Sequence, residues 1–227
     1  AASDVYKRQT PDAYHKGWAR NGAITSGNTK YGYPLILKHN YAEEYGGPLF
    51  WAHYSYVGLD PHQLTDRYAN YWDVNYNQVM IDYKYCVENP RHYAGYGANY
   101  WGLTASYTRN ADGTTGYTAH APNNDTGVIS PTAAVSSVVY TPEQSIAVMR
   151  NLYENHSSLA WGPAGFYDAH SQQYNWSVKW YLAIDQGPMA VMIENYRSGL
   201  LWNLFMNAPE VKQGLQRLDF HSGKYNF

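Results

Sequence analysis

Three proline-led starts constrain the fold of this chain more than any other feature. Gly46-Gly47-Pro48 precedes the apolar run Leu49-Phe50-Trp51-Ala52-His53-Tyr54, Ser130-Pro131 precedes the small-residue run Ala133-Ala134-Val135, and Gly187-Pro188 precedes Met189-Ala190-Val191-Met192-Ile193. Proline suits the first turn of a helix, where its missing N–H loses no partner, and glycine permits the sharp entry before it. Each run is followed by a more amphipathic segment. The first companion spans residues 66–88, with Tyr68, Tyr71, Trp72, Val79, Tyr83 and Val87 at helical spacing, and Asn89-Pro90 stops it. The second is capped by Thr141, has Pro142 at its first position and Gln144 completing a capping box, and shows Ile146, Met149, Leu152 and Tyr153 on one face. The third spans residues 209–218.

The helix from Pro188 is apolar nearly all round, through Leu200, Leu201, Trp202, Leu204 and Phe205, and is predicted to be buried. Glu194, Asn195 and Arg197 interrupt it well short of the roughly 20 apolar residues a bilayer requires. Buried helices alternating with half-exposed ones predict an all-α fold, a partial (α/α)6 toroid with about three of the six inner and outer helix pairs. The loops before the inner helices then gather at one end, bringing together residues 45–51, 99–130 and 167–185. Residues 93–129 form a long Gly- and Tyr-rich loop, and Asn110-Ala111-Asp112-Gly113 within it reads as a turn.

A length of 227 residues allows one domain or at most two. A net charge of -2 gives no argument for nucleic acid or an anionic membrane as partner. Aromatics reach 17%, with 25 tyrosines and 8 tryptophans, against 15% charged residues. Rings with a flat apolar face and a polar edge suit sugars, and they equally suit a tyrosine-rich core. Cys86 is the single cysteine, so an intrachain disulfide and a multi-cysteine metal site are excluded.

Asp185 and Gln186 are placed just ahead of the Pro188 helix, where free N–H groups and the helix dipole favour an ionised carboxylate. Asp185 reads as a base or hydroxyl-binding group, or as a capping aspartate alone. Asp168 lies on a separate element at the same end, so it can face Asp185, or it can cap its own turn. Asp185 and Glu194 cannot be a catalytic pair, because nine positions at about 100° each put them on opposite helix faces. Glu194 reads instead as a buried partner of Arg197. His53, His120 and His170 read as donors to sugar hydroxyls or as satisfied core groups, and with no HExxH pattern no metal is expected. Trp51, Tyr54, Trp101 and Trp176 are candidate stacking platforms, with core packing the equal alternative. Asn99 and Asn123 are candidate cleft-lining amides.

Several co-ordered motifs carry a family resemblance: YGGPLFWAHYSYVGLDP at residues 45–61, YWGLTAS at 100–106, YTAHAPNNDTGVISPTAA at 117–134, YTPEQS at 140–145, GFYDAH at 165–170 and LAIDQGPMAVMIENYRSGLLW at 182–202. Together they resemble the bacterial glucoamylase-like family, which contains endo-β-1,2-glucanases and is similar to a domain of cyclic β-1,2-glucan synthases. The resemblance covers residues 11–220. It implies an (α/α)6 barrel, hydrolysis of β-1,2-glucan or its oligosaccharides, no cofactor, and export to the periplasm or beyond. In the family pattern the carboxylates tied most firmly to catalysis lie in a DLVETA-like and a WNEY-type segment, upstream of the stretch matched by residues 14–18, and neither segment occurs here. Residues 10–227 are therefore expected to be the C-terminal part of one catalytic domain, supplying part of the sugar-binding cleft and inactive alone. The opening SDVYKRQ resembles translated sequencing-adapter sequence, so residues 1–9 are expected to be a non-native leader. The rival readings are a transglycosylase domain of the glucan-synthase type and a sugar-binding module without catalysis.

Overall fold

The structure, a computed structural model, describes residues 10–38 and 44–227, and the expected leader at residues 1–9 lies outside them. In the first half of the chain, strands β1 (Thr29–Lys30) and β2 (Tyr33–Pro34) precede a 3-10 turn at Leu49–Ala52, strand β3 (Leu64–Thr65), helix α1 (Tyr71–Glu88) and the hairpin β4 (Ala105–Arg109) and β5 (Thr115–Ala119). Helices α2 (Pro131–Val135), α3 (Pro142–Asn155) and α4 (Ser157–Ala160) then lead into strands β6 (Trp161–Gly162), β7 (Gly165–Phe166), β8 (His170–Ser171) and β9 (Trp176–Ser177). Helices α5 (Ala183–Ser198), α6 (Leu200–Met206) and α7 (Pro209–Arg217) and strand β10 (His221–Ser222) follow. Helix is the main regular structure, at 43%. Among the described residues the strands pair antiparallel two by two, β3 with β10 and the others with their chain neighbours.

The proline-led starts at Pro48 and Pro131 appear where the sequence places them, with adjustments that have local causes. Leu49–Ala52 is a single 3-10 turn rather than a longer helix. Helix α1 begins at Tyr71, not near Asp66, because Asp66 turns its carboxylate onto the Tyr68 and Ala69 amides while Asn70 caps the Trp72 and Asp73 amides. A left-handed Asn89 ends it. Helix α1 is also more polar inside than an amphipathic reading expects. Its buried Asn75 donates to the Tyr140 hydroxyl, Gln78 to the Gly46 and Pro48 carbonyls, and Asp82 accepts from the Leu103 amide. One helix thus pins two loops.

Five further expectations are corrected. Helix α5 starts at Ala183, so Pro188 lies inside it. Gly187, with no Cβ to clash with the proline ring, makes that tolerable. The helix is not buried all round: Asp185, Pro188, Met189, Met192 and Asn195 face inward, whereas Ile184, Tyr196, Leu200 and Leu204 on α5 and α6 are exposed. Glu194 and Arg197 do pair, at 3.0 Å, but on the surface. On α3 the buried positions are Ser145, Val148 and Leu152, while Ile146 and Tyr153 are exposed. Thr141 makes no side-chain cap, since its hydroxyl donates to the Ser137 carbonyl and pairs with Ser145. The loop at residues 93–129 contains the β4–β5 hairpin, turned at the expected Asn110 to Gly113.

The core has two main parts. One joins Leu49, Val79, Trp101, Ile129, Ala133, Leu152, Met192 and Trp202, and the other joins Tyr14, Leu64, Tyr71, Met206, Leu215 and Phe220. Among the described residues no helix is long and apolar enough to cross a membrane.

Gly102 fixes how closely the loop before β4 lies on α2. It has φ +129°, and a Cβ there would stand 2.9 Å from Ala133 Cβ and 3.1 Å from the Ala134 amide nitrogen. Gly102→Ala is expected to cost about 1–3 kcal/mol, measured by urea unfolding. Unchanged stability would contradict this close approach.

Candidate active site

Three separated stretches converge on two aspartates. Asp185, in the first turn of α5, is fully buried, and its Oδ1 accepts a 2.8 Å hydrogen bond from the Tyr54 hydroxyl. Its backbone carbonyl accepts from the Thr132 hydroxyl of α2 at 2.9 Å. Asp168 lies between β7 and β8 and is 2% exposed. Its Oδ2 accepts from the Tyr107 amide of β4 at 2.8 Å, its amide donates to the Trp180 carbonyl, and its own carbonyl accepts from the Ser130 hydroxyl. The loop ends expected to gather do meet here. Gln186 is tied in by donating to the Phe166 carbonyl at 2.9 Å.

The remaining oxygens, Asp168 Oδ1 and Asp185 Oδ2, are buried and accept from no donor. The two carboxyls are within hydrogen-bond reach of one another. Two adjacent anions out of water repel strongly, and one shared proton relieves both the repulsion and the missing donor. Burial raises Asp168, and the neighbouring Asp185 pushes it further, to about 8. Burial raises Asp185 too, while the hydrogen bonds from Asp168 and Tyr54 hold it back. Burial thus raises both carboxyls, and the pair favours holding one proton between them. Burial first, and then the charge of Asp185, raises the Tyr54 phenol, which stays a donor.

A family model described as "Putative glucoamylase" matches residues 1–209. The chain belongs to this glucoamylase-like family. It is 55% identical to the endo-β-1,2-glucanase from Chitinophaga pinensis, solved as a sophorotriose and glucose complex, with a TM-score of 0.90 over 96% of this chain and 51% of that one. It is 42% identical to the exo β-1,2-glucooligosaccharide sophorohydrolase (non-reducing end) of Parabacteroides distasonis, over 92% of this chain and 30% of that protein. A crystal structure of β-1,2-glucanase from the same organism matches at a TM-score of 0.83 and 41% identity, over 93% of this chain and 32% of the other. The chain thus spans about half or less of these glucoamylase-like relatives.

Several residues expected at a glucoamylase-like cleft lie elsewhere. Trp101 is fully buried in the core beside Tyr83. His53 and His120 are at most 1% exposed, bonded to Ser137 and to Thr126. His170 is equally buried, against the Tyr100 hydroxyl. Trp51 and Trp176 are half-buried, the first against Phe50 and the second against the small Val128, Ala169 and Val178 cluster. Asn123 is exposed on a 3-10 turn, and Asn99 lines a groove of about 380 Å³ along α3. No group of three or more His, Cys, Asp or Glu side chains among the described residues could hold a metal ion. Missed in the sequence were Tyr107, Ser130 and Thr132, which fix the acids. The alternation in Ala105-Ser106-Tyr107-Thr108-Arg109, ahead of a recognised turn, was the available signal for the first.

Asp168 is expected to give stability a specific pH dependence. Its folded pKa lies above the unfolded value of 3.8, so its contribution is complete below that value and is lost as pH rises through about 8. The loss per shared proton is at most about 1.4 kcal/mol per pH unit. Asp168→Asn should remove that slope, whereas Asp82 and Asp125, also raised by burial, contribute equally to both proteins. Urea unfolding between pH 5 and pH 8 reads the difference, and identical slopes would contradict the shared proton.

Proposed function

We propose that this chain forms one side of the cleft of a glycoside hydrolase acting on β-1,2-glucan and its oligosaccharides. The observation that carries the reading is the buried Asp168–Asp185 pair, two carboxyls each with one oxygen that accepts from no donor. The β-1,2-glucan specificity rests on the names of the relatives. The helices α1 to α7 are read as part of an (α/α)6 toroid.

Hydrolysis of a glycosidic bond needs two carboxylates, about 5 Å apart for retention and 6.5–9.5 Å for inversion. Side chains in hydrogen-bond contact are closer, at about 2.5–3 Å. Asp168 and Asp185 therefore act as one unit on one side of the bond. As a unit they can hold a proton on Asp168 for the leaving oxygen, or activate water through Asp185, with Tyr54 fixing the orientation of that anion. The partial match to the relatives' length supports placing the opposing carboxylate in a part of the parent protein other than these 227 residues, and reading the chain alone as inactive.

Asp168→Asn and Asp185→Asn in the full-length protein are each expected to lower the release of reducing sugar from β-1,2-glucan by about 10²–10⁴-fold, the scale of lost proton transfer. Full activity in both variants would overturn the assignment.

A further inference from the structure

We propose that Tyr117 and Trp180 form an aromatic wall beside the acid pair that stacks one glucosyl ring of the substrate, an inference that rests on the glycoside-hydrolase reading above. Both rings stand in solvent: Tyr117 is 56% exposed and Trp180 55%. Large rings left bare at the edge of a buried polar centre are the surface that a flat amphipathic ligand covers.

The wall is built, not accidental. Tyr117 of β5 is the cross-strand partner of Tyr107 of β4. The Tyr107 ring meets both, edge-on to Tyr117 at 6.2 Å and 85°, and edge-on to Trp180 at 5.4 Å and 75°. Hydrogen bonds tie two of these residues directly to the acid, since Asp168 Oδ2 accepts from the Tyr107 amide and the Asp168 amide donates to the Trp180 carbonyl. Any shift of the wall therefore shifts Asp168. Tyr117 lies close enough to the pair that, after burial, Asp185 and Asp168 are the main causes raising its phenol.

The chemistry selects a neutral sugar. Among the described residues, the side-chain hydrogen bonds to the two acids come from the Tyr107 amide and the Tyr54 hydroxyl, which add no positive charge. Arg109, farther along β4, lies over Tyr174 instead. A nucleotide has a flat ring but brings phosphate charge that the pair repels. A pyranose offers C–H faces to the rings and hydroxyls to the Tyr54 phenol without added charge.

The test titrates the full-length protein with sophorotriose, by calorimetry and by tryptophan fluorescence. Trp180→Ala is expected to weaken binding about tenfold and Tyr117→Ala about threefold, the scale of a ring-stacking contact. Trp180→Phe should restore most of the loss, and melting temperatures should hold because both side chains are more than half exposed. Wild-type affinity in both alanine variants would overturn the wall and leave the hydrolase reading standing. Failure of the wild type itself to bind sophorotriose would overturn both.

Discussion

Everything around the candidate site depends on two carboxyl groups held together out of water. Asp168 and Asp185 are each at most 2% exposed, and one oxygen of each accepts from no donor. Burying such a pair is costly unless a proton is shared and the other oxygens are satisfied. The chain meets the second condition with groups from distant stretches: Tyr54 on Asp185, the Tyr107 amide on Asp168, and Ser130 and Thr132 on the two backbone carbonyls. The loops are therefore organised by the acids as much as the acids are placed by the loops.

A second set of buried polar bonds supports the first. On α1, Gln78 holds the Gly46 to Pro48 entry to the turn that carries Tyr54, and Asp82 holds Leu103, just before the hairpin that carries Tyr107. The hairpin and the first 3-10 turn are also joined directly, by Leu49 donating to the Leu103 carbonyl and Phe50 to the Thr104 hydroxyl. Trp202 of α6 closes the other side by donating its indole N–H to the Tyr56 carbonyl. Small movements of α1 would thus reach both donors of the acid pair, one through each loop.

Much of this was legible in the sequence, because it follows from local chemistry. Pro131 and Pro142 open helices as their type dictates, Asn89 ends α1, and Asn110 to Gly113 turns the chain. Placing Asp168 and Asp185 at one end required only the order of helices and loops. The misreadings arise where tertiary contacts overrule a local rule. Pro188 looks like a first-turn residue, yet Gly187 lets the helix run through it, so Asp185 belongs to the helix rather than preceding it. Ile146 and Tyr153 look like core positions on α3, but the face defined by Ser145, Val148 and Leu152 packs instead. His53 and His120 look like ligand donors, and Ser137 and Thr126 satisfy them inside. Nothing local to these side chains reveals such partners.

Carbon-13 NMR of assigned aspartate side chains, followed through a pH titration, tests the shared proton most directly. The expected result is a protonated Asp168 beside an ionised Asp185 at neutral pH, with Asp168 losing its proton only near 8. Both carboxyls ionised at neutral pH, each titrating near the ordinary value of about 4, would contradict it.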